Sequence, residues 1–185
     1  GTLNVNVLNE GVHSGDASGV VASSFRIARE VLSRLEEPRT GKILPSSLHR
    51  EIPQARQDQA KEAAEVLGDA VYSKFPFVEG MGPMATELPE LILNRTWRPA
   101  LSVTGQAGMP ALENAGNVLR PGTSLKLSLR VPPTLSSELA GSIVKEILEI
   151  DPPYGATVKF NPEHPGDGWE APALASWLGS LTAEA

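Results

Sequence analysis

The chain has 185 residues, with 16 Lys plus Arg against 22 Asp plus Glu for a net charge of −6, three His and no Cys. That length suits one domain able to bury a proper core. The lack of cysteine excludes disulfides, thiolate metal sites and a cysteine nucleophile and fits a reducing, cytoplasmic home. The acidic balance argues against a nucleic-acid partner, and no apolar run approaches the roughly 20 residues of a membrane span.

Leu3, Val5 and Val7 alternate with Asn4 and Asn6, the two-residue period of a strand with one buried face. A loop over Gly15 to Gly19 follows. Val21, Phe25, Ala28, Leu32 and Leu35 then recur at helical spacing, predicting a first helix that ends before Pro38. Leu101 and Val103 alternate with Ser102 and Thr104 as a second strand entered from the bend at Trp97-Arg98-Pro99.

Leu125, Leu127, Leu129 and Val131 form the cleanest alternation in the chain and send Lys126, Ser128 and Arg130 to the face opposite the core. Leu139, Ile143, Ile147 and Ile150 predict a second helix, with cap candidates at Thr134 to Ser137 and a stop at Asp151-Pro152-Pro153. Ala156, Val158 and Phe160 alternate as a fourth strand. The order strand, helix, strand, strand, helix, strand predicts an α+β fold of the split βαβ (ferredoxin-like) kind. Its four-stranded antiparallel sheet should carry both helices on one face.

A stretch of about 41–96 is too long for the connection this fold needs, so it predicts a helical insertion between the first helix and the second strand. Ala55 to Tyr72 reads as a helix with Ala63, Val66, Leu67 and Val71 as its apolar side, Phe75 to Pro89 as a loop, and Glu90 to Asn94 as one more turn. Residues 1–185 read as a single domain cut from a longer protein: Gly1 runs straight into a strand, Trp177-Leu178-Gly179-Ser180-Leu181 begins a helical pattern that stops at Ala185, and 169–185 read as the start of a return to an absent catalytic domain.

Candidate chemistry is sparse. His13-Ser14-Gly15-Asp16 gathers an imidazole, a hydroxyl and a carboxylate after the first strand, but neighbours this close would have to fold back on themselves to make a triad. His13, His49 and His164 include no close His pair and no His-Glu-x-x-His helix, so intrinsic metal binding is not expected. Glu36-Glu37 reads as a solvated helix terminus. Asn117 carries an amide donor and Arg130 a guanidinium suited to a carboxylate, although a surface arginine paired with a nearby Glu fits the same pattern. Trp97, Trp169 and Trp177 read as core or interface anchors.

Four ordered stretches together resemble the M20 metallopeptidases, which include aminoacylase, carnosinase, succinyl-diaminopimelate desuccinylase and glutamate carboxypeptidase. They are Gly11-Val12-His13-Ser14-Gly15, Thr96-Trp97-Arg98-Pro99-Ala100-Leu101, Gly116-Asn117-Val118-Leu119-Arg120-Pro121 and Leu127-Ser128-Leu129-Arg130-Val131-Pro132. The resemblance is to the lid and dimerisation domain alone. The residues two after His13, His49 and His164 are Gly15, Glu51 and Gly166, so the family's His-x-Asp metal motif is absent and hydrolysis by this chain alone is not expected.

The resemblance implies a homodimer formed through the lid and two zinc ions in the catalytic part of an intact hydrolase acting on peptides or N-acyl amino acids. It also implies that His13 stabilises an oxyanion in the partner's active site, that Asn117 helps hold the substrate and that Arg130 binds its carboxylate. The rival expectation is a free-standing ferredoxin-like binding or regulatory module with no catalytic role. An RNA-binding sheet of the same element order is disfavoured, because Lys126, Ser128 and Arg130 have no aromatic among them.

Overall fold

Leu3 and Val5 are fully buried while the residues between and beside them stay partly open, and the same alternation runs through Thr123, Leu125 and Leu127 and through Val158 and Phe160. Each of these segments is a strand that buries one face. The computed structural model describes residues 1–163 and 165–172. In chain order its main elements are β1 (Thr2–Asn6), β2 (Val12–His13), α1 (Ser14–Ala17), α2 (Ser24–Leu32), α3 (Gln54–Leu67), α4 (Ala70–Ser73), α5 (Leu88–Thr96), β3 (Ala100–Ala107), β4 (Val118–Leu119), β5 (Gly122–Arg130), α6 (Ser137–Glu149) and β6 (Thr157–Asn161).

Four strands make one antiparallel sheet in the order β3-β5-β1-β6, and β2 pairs with β4 in a separate two-stranded ribbon. The buried faces of β1, β5 and β6 share a core with Ile27, Ala28, Val31 and Leu35 from α2 and just after it, and with Ala140, Val144 and Leu148 of α6. Both helices therefore cover the same side of the sheet. Lys126 and Arg130 are exposed on the other.

The two helices are where expected, but their buried stripes are turned. In α2 the buried side is Ser24, Ile27, Ala28 and Val31, while Phe25 stands exposed beneath the Arg29 guanidinium. In α6 the buried side is Ala140, Val144 and Leu148, with Leu139 and Ile150 exposed and Ile143 and Ile147 on its flanks. Steps of three and four fit adjacent stripes almost equally well, and small or β-branched side chains let a helix lie closer to a sheet than Phe or Leu would.

Ser136 caps α6 by accepting from the Leu139 N–H, and Arg34 donates to the carbonyls of Ile147, Ile150 and Asp151 at its other end. The second contact satisfies acceptors that a helix terminus leaves open and ties the end of α2 to the end of α6.

The start of the insertion joins the sheet's core through Ile43 and Leu48, while its helices pack around a second core built from Ala60, Ala64, Val71, Ile92, Leu93 and Trp97. Its expected single helix is broken at Gly68, whose φ of 49° ends α3. The expected single turn is the nine-residue α5, which Pro89 opens from its first turn rather than closing the preceding loop. Val66 is 87% exposed, so the apolar side of α3 is Ala60 and Ala64. Trp97 is buried, whereas Trp169 is 78% exposed and is not a core residue; Trp177 and the helical pattern after it lie outside the described residues. The Gly15 to Gly19 loop is also partly replaced, by the single turn of α1. Among the described residues no helix is long and apolar enough to cross a membrane.

One polar contact crosses the core: the hydroxyls of Ser24 and Thr123, both buried, lie 2.8 Å apart. Removing one partner strands the other away from water, so Ser24→Ala should cost about 1–3 kcal/mol in urea unfolding. Combining it with Thr123→Val should cost less than the sum of the two single changes.

Candidate functional site

The β2–β4 ribbon is where two distant sequence stretches meet. Val12 pairs with Leu119 and His13 with Val118, and the Ser14 N–H donates to the Asn117 carbonyl at 2.9 Å. The Val7 and Leu8 N–H groups donate to the Pro121 carbonyl at 2.8 and 3.3 Å, which anchors the ribbon to the end of β1. Gly11 lies close against the ribbon: a Cβ there would lie 2.9 Å from Val118 Cγ1, so a larger residue would have to move the Val118 side chain. His13 and Asn117 are thereby neighbours, both exposed.

His13 is the N-cap of α1, and its Nδ1 accepts from the Gly15 N–H at 3.1 Å. A ring nitrogen that accepts carries no proton, so the neutral imidazole holds its proton on Nε2, at the outward end. The ring is oriented by backbone rather than by a carboxylate, which leaves Nε2–H as a donor to a ligand. This arrangement is unlike a triad, where an acid stands behind the imidazole.

Arg130 lies elsewhere. It ends β5 opposite Ala100, while Gly122 at the other end pairs with Asn6 beside the ribbon. Eight steps of about 3.4 Å put the two ends of β5 roughly 27 Å apart. Arg130 is exposed, and among the described residues it forms no ion pair: Lys126 takes Glu163, Arg98 takes Glu90, and Arg56 takes Glu170. It lines a cavity of about 700 Å³ with Ser128, Thr104 and Glu138.

The other candidates have local roles. His49 Nε2 lies 2.7 Å from the Ile43 carbonyl and ties down a loop. Partial burial pushes the Glu36 carboxyl up, while hydrogen bonds from Thr40 and Arg39 hold Glu37 down, so the adjacent acids serve different contacts. His164 lies outside the described residues. Among the described residues no three His, Cys, Asp or Glu side chains gather to hold a metal, so the donor set does not fit a zinc centre.

Sequence reasoning missed Glu163 and Glu149. Glu149 accepts from Lys145 Nζ at 2.6 Å and from the Phe160 N–H at 2.7 Å, locking α6 to β6. Those hydrogen bonds, the Lys145 one foremost, hold its carboxyl below the usual range. Its spacing from Lys145 on one helix face was the available signal.

No protein-family profile matches the chain, and no curated protein matches it in sequence. In structure it is similar to human carnosine dipeptidase 1, with a TM-score of 0.71 and 16% identity over 98% of this chain and 39% of that one. It is similar to the di-peptidase Dug1p of Saccharomyces cerevisiae, with a TM-score of 0.61 and 21% identity over 85% of this chain and 33% of that one. It is also similar to the M20 family metallo-carboxypeptidase Sso-CP2 of Sulfolobus solfataricus, with a TM-score of 0.60 and 15% identity over 85% of this chain and 41% of that one. The chain spans well under half the length of each, and what it shares with them is an M20-like fold.

The outward Nε2–H has a direct test. Long-range nitrogen–proton correlation spectra should show neutral His13 protonated on Nε2. Gly15→Ala, whose Cβ would lie 2.8 Å from His13 Cε1, should displace the ring and mix the two tautomers.

Proposed function

We propose that this chain is the lid and dimerisation domain of a two-zinc peptidase or amidohydrolase acting on peptides or N-acyl amino acids. The strand order and the pair of helices on one face support a split βαβ assignment. The zinc ions would be held outside this chain, whose described residues supply no ligand set. Its own contribution is positioning: His13 Nε2–H donates to the oxygen on which charge develops, Asn117 helps hold the substrate, and Arg130 grips the carboxylate.

The observation that carries this reading is the separation of the imidazole and the guanidinium. A dipeptide places its scissile carbonyl and terminal carboxylate within about one residue, roughly 3.5 Å of extended chain. Groups near opposite ends of β5 cannot both reach one such substrate from the same copy, whereas His13 of one copy and Arg130 of another can share it.

The sheet has an edge suited to that pairing. β3 is eight residues long, carries no charged side chain and leaves Val103 51% exposed, while the opposite edge strand β6 is shorter and carries Lys159. A long uncharged edge is open to pairing with a second chain.

In the complete enzyme, His13→Ala should lower kcat by about 10² to 10³ with little change in KM. Arg130→Ala should raise KM by about 10- to 100-fold, the loss expected for a charge-assisted contact. Steady-state kinetics with dipeptides and N-acyl amino acids test both, and wild-type values for the two variants would leave only a binding or regulatory module. Val103→Lys should place like charges across the paired edges and shift the protein to monomer in sedimentation velocity.

A further inference from the structure

The exposed face of β5 carries Lys126, Ser128 and Arg130 in a row. Its two cations stand four residues apart on the same side, about 13 Å along the strand, and both side chains are long enough to lean towards each other. A ligand with two carboxylates would bridge such a pair.

Lys126 is already engaged. Asn161 at the end of β6 pairs with Thr2, and Thr2 pairs with Lys126, so three strands line up side by side. Glu163 follows just beyond Asn161 and reaches back across this line. Its Oε1 accepts from Thr2 Oγ1 at 2.6 Å, and its Oε2 accepts from Lys126 Nζ. The Lys126 contact foremost, then Thr2, holds the Glu163 carboxyl down to about 2, so it is ionised throughout the neutral range. Lys126, Arg130, Glu138 and Glu163 line one cavity, and Arg130 has no ion-pair partner among the described residues.

We propose that Glu163 is a specificity-determining residue. By neutralising Lys126 it leaves Arg130 as the one uncompensated cation of the row, so the subsite takes a ligand with a single carboxylate and discriminates against dicarboxylates. The inference rests on the reading of Arg130 as a carboxylate grip and deepens it.

N-acetylglutamine and N-acetylglutamate match in shape and differ by one carboxylate, which makes them suitable probes. Each is titrated into the ¹⁵N-labelled 185-residue chain while the Ser128 amide and the Arg130 Nε–H are followed by NMR. The wild-type chain should bind N-acetylglutamine more tightly than N-acetylglutamate. Glu163→Gln, which keeps an acceptor for Thr2, should move the affinity ratio towards N-acetylglutamate by about threefold to fivefold, the scale of an exposed ion pair. Adding Lys126→Met should cancel that gain.

Arg130→Ala should lose both probes. If it does and Glu163→Gln leaves the ratio unchanged, the role of Glu163 is overturned and the Arg130 reading stands. If Arg130→Ala binds both probes as the wild type does, or the wild type binds neither, the Arg130 reading falls and this inference with it.

Discussion

The antiparallel register of β1 against β5 positions the candidate groups of this molecule. With Asn6 opposite Gly122 and Thr2 opposite Lys126, one end of the pair continues into the ribbon that holds His13 beside Asn117, and the other runs on to Arg130. Gly122 fits this register closely: a Cβ there would lie 2.3 Å from Asn6 Oδ1 and 3.2 Å from the Val5 carbonyl oxygen. A shift of one residue would send Lys126 and Arg130 into the helix-covered core and Leu125 and Leu127 to solvent, so the buried face enforces the placement of the exposed one.

Electrostatics refine this placement locally. The chain as a whole is acidic, yet among the described residues Arg130 forms no ion pair while Lys126 and Arg98 each hold a carboxylate. Net charge speaks to steering and to broad classes of partner; recognition depends on which charges are already spent on the protein itself.

Strands β1, β5 and β6 were readable because period-two alternation survives wherever one face is buried, whereas β3 buries none of its residues and its Val103 faces solvent; α6 was readable because Ser136 and Pro152 mark its ends. The phase of each helix was not. Phe25 and Leu139 look like anchors by hydrophobicity, but the sheet buries the sides with Ile27 and Ala140. The ribbon was invisible because two-residue strands have no period, although the stretches around His13 and Asn117 that build it stood out by resemblance. Glu163 gave no local signal either, for its partners lie on two other strands, and Arg130 is distinguished from an ordinary surface arginine only by its neighbours.

The insertion is the feature with the widest reach. Its helices share a small core distinct from the sheet's, while Ile43 and Leu48 at its start are buried in the sheet's core and tie it to the rest of the fold. Trp97 belongs to that small core and Ala100 begins the edge strand three residues later, so the two are mechanically joined. Slack or tension among the three inserted helices would pass directly into the rim of the sheet. Substitutions far from His13 and Arg130 would then alter the exposed edge strand without touching either group.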